Sequence, residues 1–276
     1  MIGWLIYSAV DVEKNKYYIQ MYKDKFKEHF IEIKLVIVEE LENMEQYVKC
    51  NKVDFAINRS RNHIMGELLE QKGVRVFNSS SVTRIANNKG ITYEFLKDMV
   101  PFLAVKYGNE IIESKIENKG FEYPYVIKSC SGHGGSQVFL VNNRKEEEQA
   151  VKAMNGQEYV VQQCCSDLGR DVRVYIIGNK IIKSVLRTST ESFKSNYSLG
   201  GKVQEYTLNN EEKAMVERIV DKLPLDYAGI DFTFHNGKAV FNEIEDAVGA
   251  RMLYQVSDID IVEMYIKHIL EQLSKE

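Results

Sequence analysis

One stretch limits what this chain can fold into more than any other: Ala228–Arg251, AGIDFTFHNGKAVFNEIEDAVGAR. Ile230, Phe232 and Phe234 alternate with Asp231 and Thr233, the period of a half-buried strand. Asn236-Gly237 is a turn signal, and the return run KAVFNEIE alternates again. With His235-Asn236-Gly237 as the loop and Gly237 left-handed, Phe234 pairs with Lys238 and Asp231 with Phe241. Asp231, Glu243 and Glu245 then share one face, and Ile230, Phe232, Val240 and Ile244 share the other. A two-residue turn would shift the register and split the carboxylates between faces. Three carboxylates on one face, with no Lys or Arg beside them, repel one another. A hard cation such as Mg²⁺ takes oxygen ligands, usually a few carboxylates together with nucleotide phosphates. From the hairpin alone two readings stay open: a cation site, or the solvated outer face of an edge hairpin.

The 276 residues suffice for one large domain or two to three small ones. With 44% hydrophobic and 28% charged residues the mix is that of an ordinary globular protein. A net charge of −4 argues against a nucleic-acid partner. No run reaches the roughly 18 apolar residues of a membrane helix. The opening MIGWLIYSAV is short and lacks a basic leader, so it reads as a first strand and not a signal peptide. Cys50, Cys130, Cys164 and Cys165 form no C-x-x-C pair. Zinc is therefore not expected, and a reduced cytoplasmic protein is the simple reading.

Three segments are expected. In residues 1–85, strands at Gly3–Ser8, Glu32–Val38, Val53–Ile57 and Val74–Phe77 alternate with helices over Asp11–Phe30, Leu41–Val48 and His63–Gln71. That order implies a small parallel sheet. Ligands bind such sheets beyond the carboxyl ends of the strands, where Asn58-Arg59-Ser60-Arg61 falls. Two arginines there suit a carboxylate or phosphate, or belong to a solvated loop. A polar break at Asn78–Ser81 precedes the second segment, residues 86–164. It holds a helix over Asn87–Asp98, a strand over Phe102–Tyr107, a helix over Glu110–Asn118, strands Tyr123–Lys128 and Gln137–Val141, a helix Arg144–Met154 and a strand Tyr159–Gln163. In residues 165–276, Asp171–Ile177 and Lys180–Arg187 flank the hairpin signal Gly178-Asn179. A polar loop Ser189–Gly201, a strand Lys202–Thr207 and a helix Asn210–Leu223 capped by Asn210 follow. The carboxylate hairpin and a closing helix Ser257–Ser274 complete the chain.

The loop SCSGHGGSQ sits between two strands. Glycine-rich backbone can approach phosphates closely and offer N–H donors, or it forms a flexible hairpin tip; the loop alone leaves both open. It is not a dinucleotide fingerprint, because Gln137 takes the third glycine's place and no helix follows. No G-x-x-x-x-G-K-[ST] motif is present. Lys128 ends the apolar strand YPYVIK directly before this loop; burying it without an anion is costly, so either phosphate is its partner or the lysine snorkels to solvent. Arg170, Asp171 and Arg173 open one strand, Arg187 ends the next, and Lys194, Ser195 and Asn196 lie in the polar loop. Carboxylate-bound Mg²⁺ with Lys and Arg on the spreading phosphate charge is what phosphoryl transfer needs.

GRDVRVYIIGNKIIKSVLR, KSNYSLGG and AGIDFTFHNGKAVFNEIE, in this order, resemble the ATP-grasp superfamily, specifically its RimK-like amino-acid ligases, over Asn78 to Leu270. The resemblance implies α/β and α+β architecture: an ATP-grasp fold with a small N-terminal parallel α/β (pre-grasp) domain, and ATP between two α+β subdomains. It implies that Lys89 and Lys128 contact the nucleotide and that Ser131, Gly132, Gly134 and Gly135 close over the phosphates. Val160–Gln163 resembles the hinge that binds adenine, and Gln162, Gln163 and Cys164 are implied to contact the nucleotide. Asp171, Lys194 and Ser195 contact nucleotide, and Arg187 and Asn196 act at the transferring phosphoryl group. Asp231, Glu243 and Glu245 match the ligands of two Mg²⁺ ions, with Mn²⁺ as an alternative.

The chain departs from that pattern at four places. Glu245 stands where the family has Asn. After Asp246, Ala-Val-Gly replaces Ser-Pro-Gly, Gln163 replaces an acidic residue, and Ser198-Leu199 replaces His-Arg. The implied reaction activates a carboxylate as an acylphosphate, which an amine then attacks, leaving ADP and phosphate. Small-molecule or peptide carboxylates and amines, glutamate among them, are the implied substrates. A homo-oligomer is compatible with the sequence; nucleic acid and membrane are not expected. The departures favour a second reading, a nucleotide-binding module that no longer ligates; a kinase-like phosphotransferase is a third. Asp231→Ala or Glu243→Ala is expected to abolish turnover and leave the fold intact.

Overall fold

The structure, a computed structural model, describes residues 1–108, 121–135, 137–189, 192–193 and 201–275. Strand β1 (Ile2–Tyr7) is buried from Gly3 onward on both faces, as a central parallel strand must be. It lies between β2 (Glu32–Ile37) and β3 (Phe55–Asn58), and β4 (Arg75–Phe77) extends the sheet in the order β2-β1-β3-β4, all parallel. Helices α1 (Ala9–Val12), α2 (Lys16–Glu28), α3 (Met44–Cys50) and α4 (His63–Gln71) make the connections. The expected helix Asp11–Phe30 is thus two helices. Asn43 and Asn62 cap α3 and α4 by accepting from backbone N–H groups one turn on. Trp4, Ile6, Ala56 and Val76 face Met65 and Leu69 of α4. Leu5, Tyr7, Phe55 and Ile57 face α2 on the other side.

Gly3 leaves no room for a side chain. A Cβ there would lie 2.4 Å from Phe55 Cζ and 2.6 Å from Ile33 Cδ1. Phe55 is fully buried and cannot retreat. Gly3→Ala is expected to cost about 1–3 kcal/mol by overpacking. A denaturant midpoint equal to the wild type would contradict this.

The polar run Asn78–Ser81, read as a break, instead starts a helix. Ser79 accepts from Val82 N–H and caps α5 (Ser80–Ala86), and Asn88 caps α6 (Lys89–Leu96). Ser and Asn favour loops for the same reason that they cap helices: their side chains bond nearby backbone. The second sheet is antiparallel, β5 (Val105–Tyr107), β6 (Tyr125–Ser129), β7 (Val138–Val141) and β8 (Tyr159–Gln163), in the order β5-β8-β6-β7. Helix α7 (Arg144–Met154) backs it through Ala150 and Met154. The helix expected at Glu110–Asn118 lies outside the described residues.

The third sheet is also antiparallel, with β9 (Asp167–Ile177), β10 (Lys180–Thr188), β11 (Lys202–Glu205), β12 (Tyr227–His235) and β13 (Lys238–Glu245) in the order β11-β10-β9-β12-β13. One face, with Val172, Val174, Ile230 and Phe232, packs on α8 (Asn210–Lys222) and on Tyr93 and Leu96 of α6. The cap of α8 is Asn209, not Asn210, in a reciprocal capping box with Glu212. Two helices close the chain, α9 (Arg251–Val256), which sequence pattern does not announce, and α10 (Ile261–Leu273).

The β12–β13 turn corrects the expected register. It is a two-residue turn, with φ of 51° at Asn236 and 76° at Gly237, and His235 pairs with Lys238. By itself that turn would split the three carboxylates. A β-bulge at Asn242 undoes the shift: Phe232 pairs with Phe241, but Asp231 pairs with Glu243 and Gly229 with Glu245. Asp231, Glu243 and Glu245 therefore do share a face, by a route different from the one expected.

Candidate active site

Register across four strands builds a mosaic of charge on one face of the third sheet. Arg187 of β10 lies opposite Asp171 of β9, Arg173 of β9 opposite Asp231 of β12, and Asp231 opposite Glu243 of β13. Asp231 is fully buried. Its Oδ1 accepts from Arg173 Nε at 2.7 Å, and its Oδ2 from Arg173 Nη2 at 2.7 Å and Arg187 Nη2 at 2.6 Å. Arg187 also donates to Asp171 Oδ2 at 2.8 Å, and Arg173 pairs with Glu245 at 2.7 Å. Burial by itself raises the Asp231 carboxyl, but Arg173 and Arg187 outweigh it and hold the group at about 2. The premise that no cation lies beside the three acids is therefore corrected. Sequence alone could not reveal that β9 would set Arg173 against Asp231.

Opposite this face stand the two lysines. Lys128, at the end of β6, is buried, and its Nζ donates to Asn242 Oδ1 at 2.8 Å. The bulge thus turns the Asn242 side chain toward the facing sheet, which is what bulges beside functional sites do. Burial pushes the Lys128 ammonium down to about 8; Glu243 opposes the shift and Lys89 adds to it. Lys89, the first residue of α6, donates to the Gly132 carbonyl at 2.6 Å and lies 3.4 Å from Glu243 Oε2. Gly134 and Gly135 have φ of 64° and 75°, which is why the loop needs glycine at both.

Two cavities meet here. The first lies between the two antiparallel sheets, with Lys89, Lys128 and Gln163 on one side and Asp171, Thr233 and Asn242 on the other. The second lies against helices α1 and α2 and the loop after β3, and is walled by Tyr18, Arg61, Arg173, Arg187, Glu245 and Arg251. Lys89, Gly132, Gly134, Gly135 and Glu243 line both.

Of the residues singled out by sequence, Lys89, Lys128, Gly132, Gly134, Gly135, Gln162, Gln163, Asp171 and Glu243 line the first cavity, and Arg187 and Glu245 the second. Ser131 and Cys164 line neither; Cys165 lines the first in place of Cys164. Lys194, Ser195 and Asn196 lie outside the described residues. The Gln162 side chain does not stay free for a base. It donates to Tyr93 Oη at 3.1 Å, and Tyr93 in turn donates to the Asn242 carbonyl at 2.8 Å. Cys130 is buried and its thiol is raised by that burial, which makes it a packing residue. Asn242 and Tyr93 escaped the sequence-based site, and Arg173 entered it only as a cation near the hairpin, without its partner Asp231. The alternation of Arg173 with Asp171 was a usable signal; a bulge leaves none.

Whether these residues suit a metal ion turns on their donors. Among the described residues no three Asp, Glu, His or Cys side chains converge as a ready metal centre. Glu243 and Glu245 nevertheless stand two residues apart on one strand face, partly exposed to the shared cavity, and offer the hard oxygens that Mg²⁺ prefers. They fit such an ion when phosphates supply further ligands. Both Asp231 oxygens are already taken by guanidinium groups.

A family model described as a RimK-like ATP-grasp domain matches residues 81–269. The chain is 32% identical over 269 residues to the uncharacterised protein MG011 of Mycoplasma genitalium, covering 96% of this chain and 91% of that protein. It is 26% identical over 238 residues to a probable alpha-L-glutamate ligase of Maridesulfovibrio salexigens, covering 84% and 70%. Among solved structures, it resembles a RimK domain ATP-grasp protein from Sphaerobacter thermophilus with a TM-score of 0.76 at 20% identity, over 97% of this chain and 99% of that one. It also resembles the D-alanine–D-alanine ligase of Bacillus anthracis complexed with ATP, with a TM-score of 0.78 at 16% identity, over 100% and 98%. At these identities the structural matches speak for the fold.

Proposed function

Because the chain belongs to the RimK-like ATP-grasp family, we propose that it is an ATP-dependent carboxylate–amine ligase that works through an acylphosphate. The observation that carries this reading is the junction of the two cavities at Lys89, Glu243 and the glycine loop. A nucleotide in the first cavity would place its terminal phosphate beside a second ligand in the other. A substrate carboxylate oxygen attacks the γ-phosphorus, the bond to the β–γ bridging oxygen breaks, and ADP leaves. An amine then attacks the acyl carbon, phosphate departs with the acyl C–O bond broken, and the amine gives up a proton to solvent.

The protein's share is placement and electrostatics. Lys89 and Lys128 hold positive charge against the phosphates, and the amides of the glycine loop exclude water over them. Arg173 and Arg187, ordered by Asp231 and Asp171, face the second ligand. Mg²⁺ held by Glu243 and Glu245, with Asp231 behind them, would supply Lewis-acid neutralisation of phosphate charge. An amino acid such as glutamate is the first carboxylate to try, because a relative named a probable alpha-L-glutamate ligase spans 84% of this chain. The binder reading keeps one supporting observation: Asp231 and Arg187 satisfy each other within the protein.

A screen of ADP and phosphate release decides between them. The chain, ATP and Mg²⁺ are incubated with pairs of amino acids and small carboxylic acids. Release that depends on both a carboxylate and an amine is the expected result. Tight ATP binding with no release across the panel would favour the binder, and a stable phosphoester product would point to a kinase.

A further inference from the structure

Arg59 is a puzzle of charge. It follows β3, it is 4% exposed, and among the described residues no carboxylate forms an ion pair with it. Its Nε donates to Tyr7 Oη at 2.9 Å, and its Nη2 donates to the carbonyls of Ala247 at 3.0 Å and Val248 at 2.7 Å. The guanidinium lies 5.8, 5.2 and 5.8 Å from the ring centroids of Tyr7, Tyr18 and Tyr227. Burial raises all three phenols above their ordinary value, so at neutral pH none of them supplies a negative charge. Asp246 is the buried carboxyl that senses Arg59 from a distance, and it is bonded to Asn87 at 2.9 Å. Rings and carbonyls offset part of the desolvation of a buried cation, but they leave its charge in place.

The position of that charge gives it a use. Ala247, Gly249 and Ala250 line the second cavity, and so does Tyr18. A carbonyl that accepts from a cation is polarised, and the N–H on the other side of the same peptide becomes a stronger donor. We propose that Arg59 is a positioning residue of the second cavity: it fixes the Ala247–Val248 wall and supplies a positive charge that a carboxylate bound in that cavity completes. This rests on the ligase reading only for the choice of a carboxylate as the ligand. From sequence the two arginines at the end of β3 leave two readings open, a direct clamp or a solvated loop. Arg61 does line the cavity, paired with Asp11, whereas Arg59 acts through the chain it holds.

The test uses the full chain and two variants, Arg59→Gln, which keeps hydrogen bonding without charge, and Arg59→Lys, which keeps the charge. Each is saturated with the non-hydrolysable analogue AMPPNP and Mg²⁺ and titrated with succinate in a calorimeter at constant ionic strength. Loss of the charge is expected to weaken succinate by about tenfold or more in Arg59→Gln, with recovery to within about threefold of wild type in Arg59→Lys. AMPPNP affinity should be the same in all three. A purely structural role would lower both affinities together, and Lys would not rescue. Wild-type succinate affinity in Arg59→Gln, no rescue by Lys, or no succinate binding to the wild type would each overturn the proposal. Failure of AMPPNP to bind the wild type would instead count against the ligase reading, and the succinate comparison is then run without nucleotide.

Discussion

Asp231→Ala is expected to destabilise the protein by about 3–5 kcal/mol, the usual cost of removing one partner from a buried charge pair. The side chain is fully buried and accepts three hydrogen bonds from two buried guanidinium groups. Arg187 would keep Asp171 and Arg173 would keep Glu245, so the loss is large but need not be complete. Glu243→Ala is the contrast. Its carboxylate is 34% exposed and pairs with Lys89 at 3.4 Å, so its removal should cost about 1 kcal/mol or less. The sequence-based expectation that both variants lose turnover and keep the fold therefore divides: for Glu243 it is retained as a prediction, and for Asp231 the predicted cost now includes the fold. Urea midpoints of the two variants, measured side by side, check this; equal midpoints would refute the network. The acid limb offers a second check. The Asp231 carboxyl is held at about 2, below its ordinary value, so its contribution is complete above the unfolded value and is lost as pH falls through about 2. Wild type should lose stability in that window, and Asp231→Ala should not show the corresponding loss.

Lys128→Met is expected to reduce turnover by about 10²–10³-fold, the range seen when one donor to a developing charge is removed. The same lysine predicts a pH dependence. In the nucleotide-free protein burial pushes its ammonium down to about 8. As pH rises through that value the charge is lost, so AMPPNP affinity should fall. Fold stability changes in the opposite sense, because a lysine with a lowered value favours the folded, neutral form more as pH rises from about 8 toward the ordinary 10.4. Lys128→Arg should flatten the binding profile, since arginine stays charged throughout. AMPPNP titrations at steps from about pH 6.5 to 9.5 measure it. A wild-type profile that stays flat, or a Lys128→Met variant with full turnover, would remove Lys128 from the phosphate site.

Where local pattern and capping agreed, reading the chain was enough. His63–Gln71, Arg144–Met154 and Tyr159–Gln163 have the bounds expected of them. Both helices are capped by an Asn directly before them, and the strand is a short apolar run between polar residues. The short helices α5 and α9 escaped notice, because six or seven residues are too few for a periodicity to stand out. The two-residue turn at Asn236-Gly237 follows from the strong preference of that dipeptide, whereas the bulge at Asn242 has no such local mark.

What the order of residues determined by itself was which side chains alternate, where the glycine loop falls between strands, and the family to which those motifs belong. The first two are settled within a few residues of chain, by the two-residue repeat of a strand and the left-handed backbone that glycine permits, and the family by the order of motifs along the chain. The folded arrangement alone decided who meets whom. Arg173 and Asp231 are 58 residues apart in sequence, Lys128 and Asn242 are 114 apart, and Arg59 and Val248 are 189 apart. Strand order, one bulged residue and the packing of a parallel sheet against a loop brought those pairs together. Long-range register is a property of the whole sheet, and no short stretch of sequence contains it.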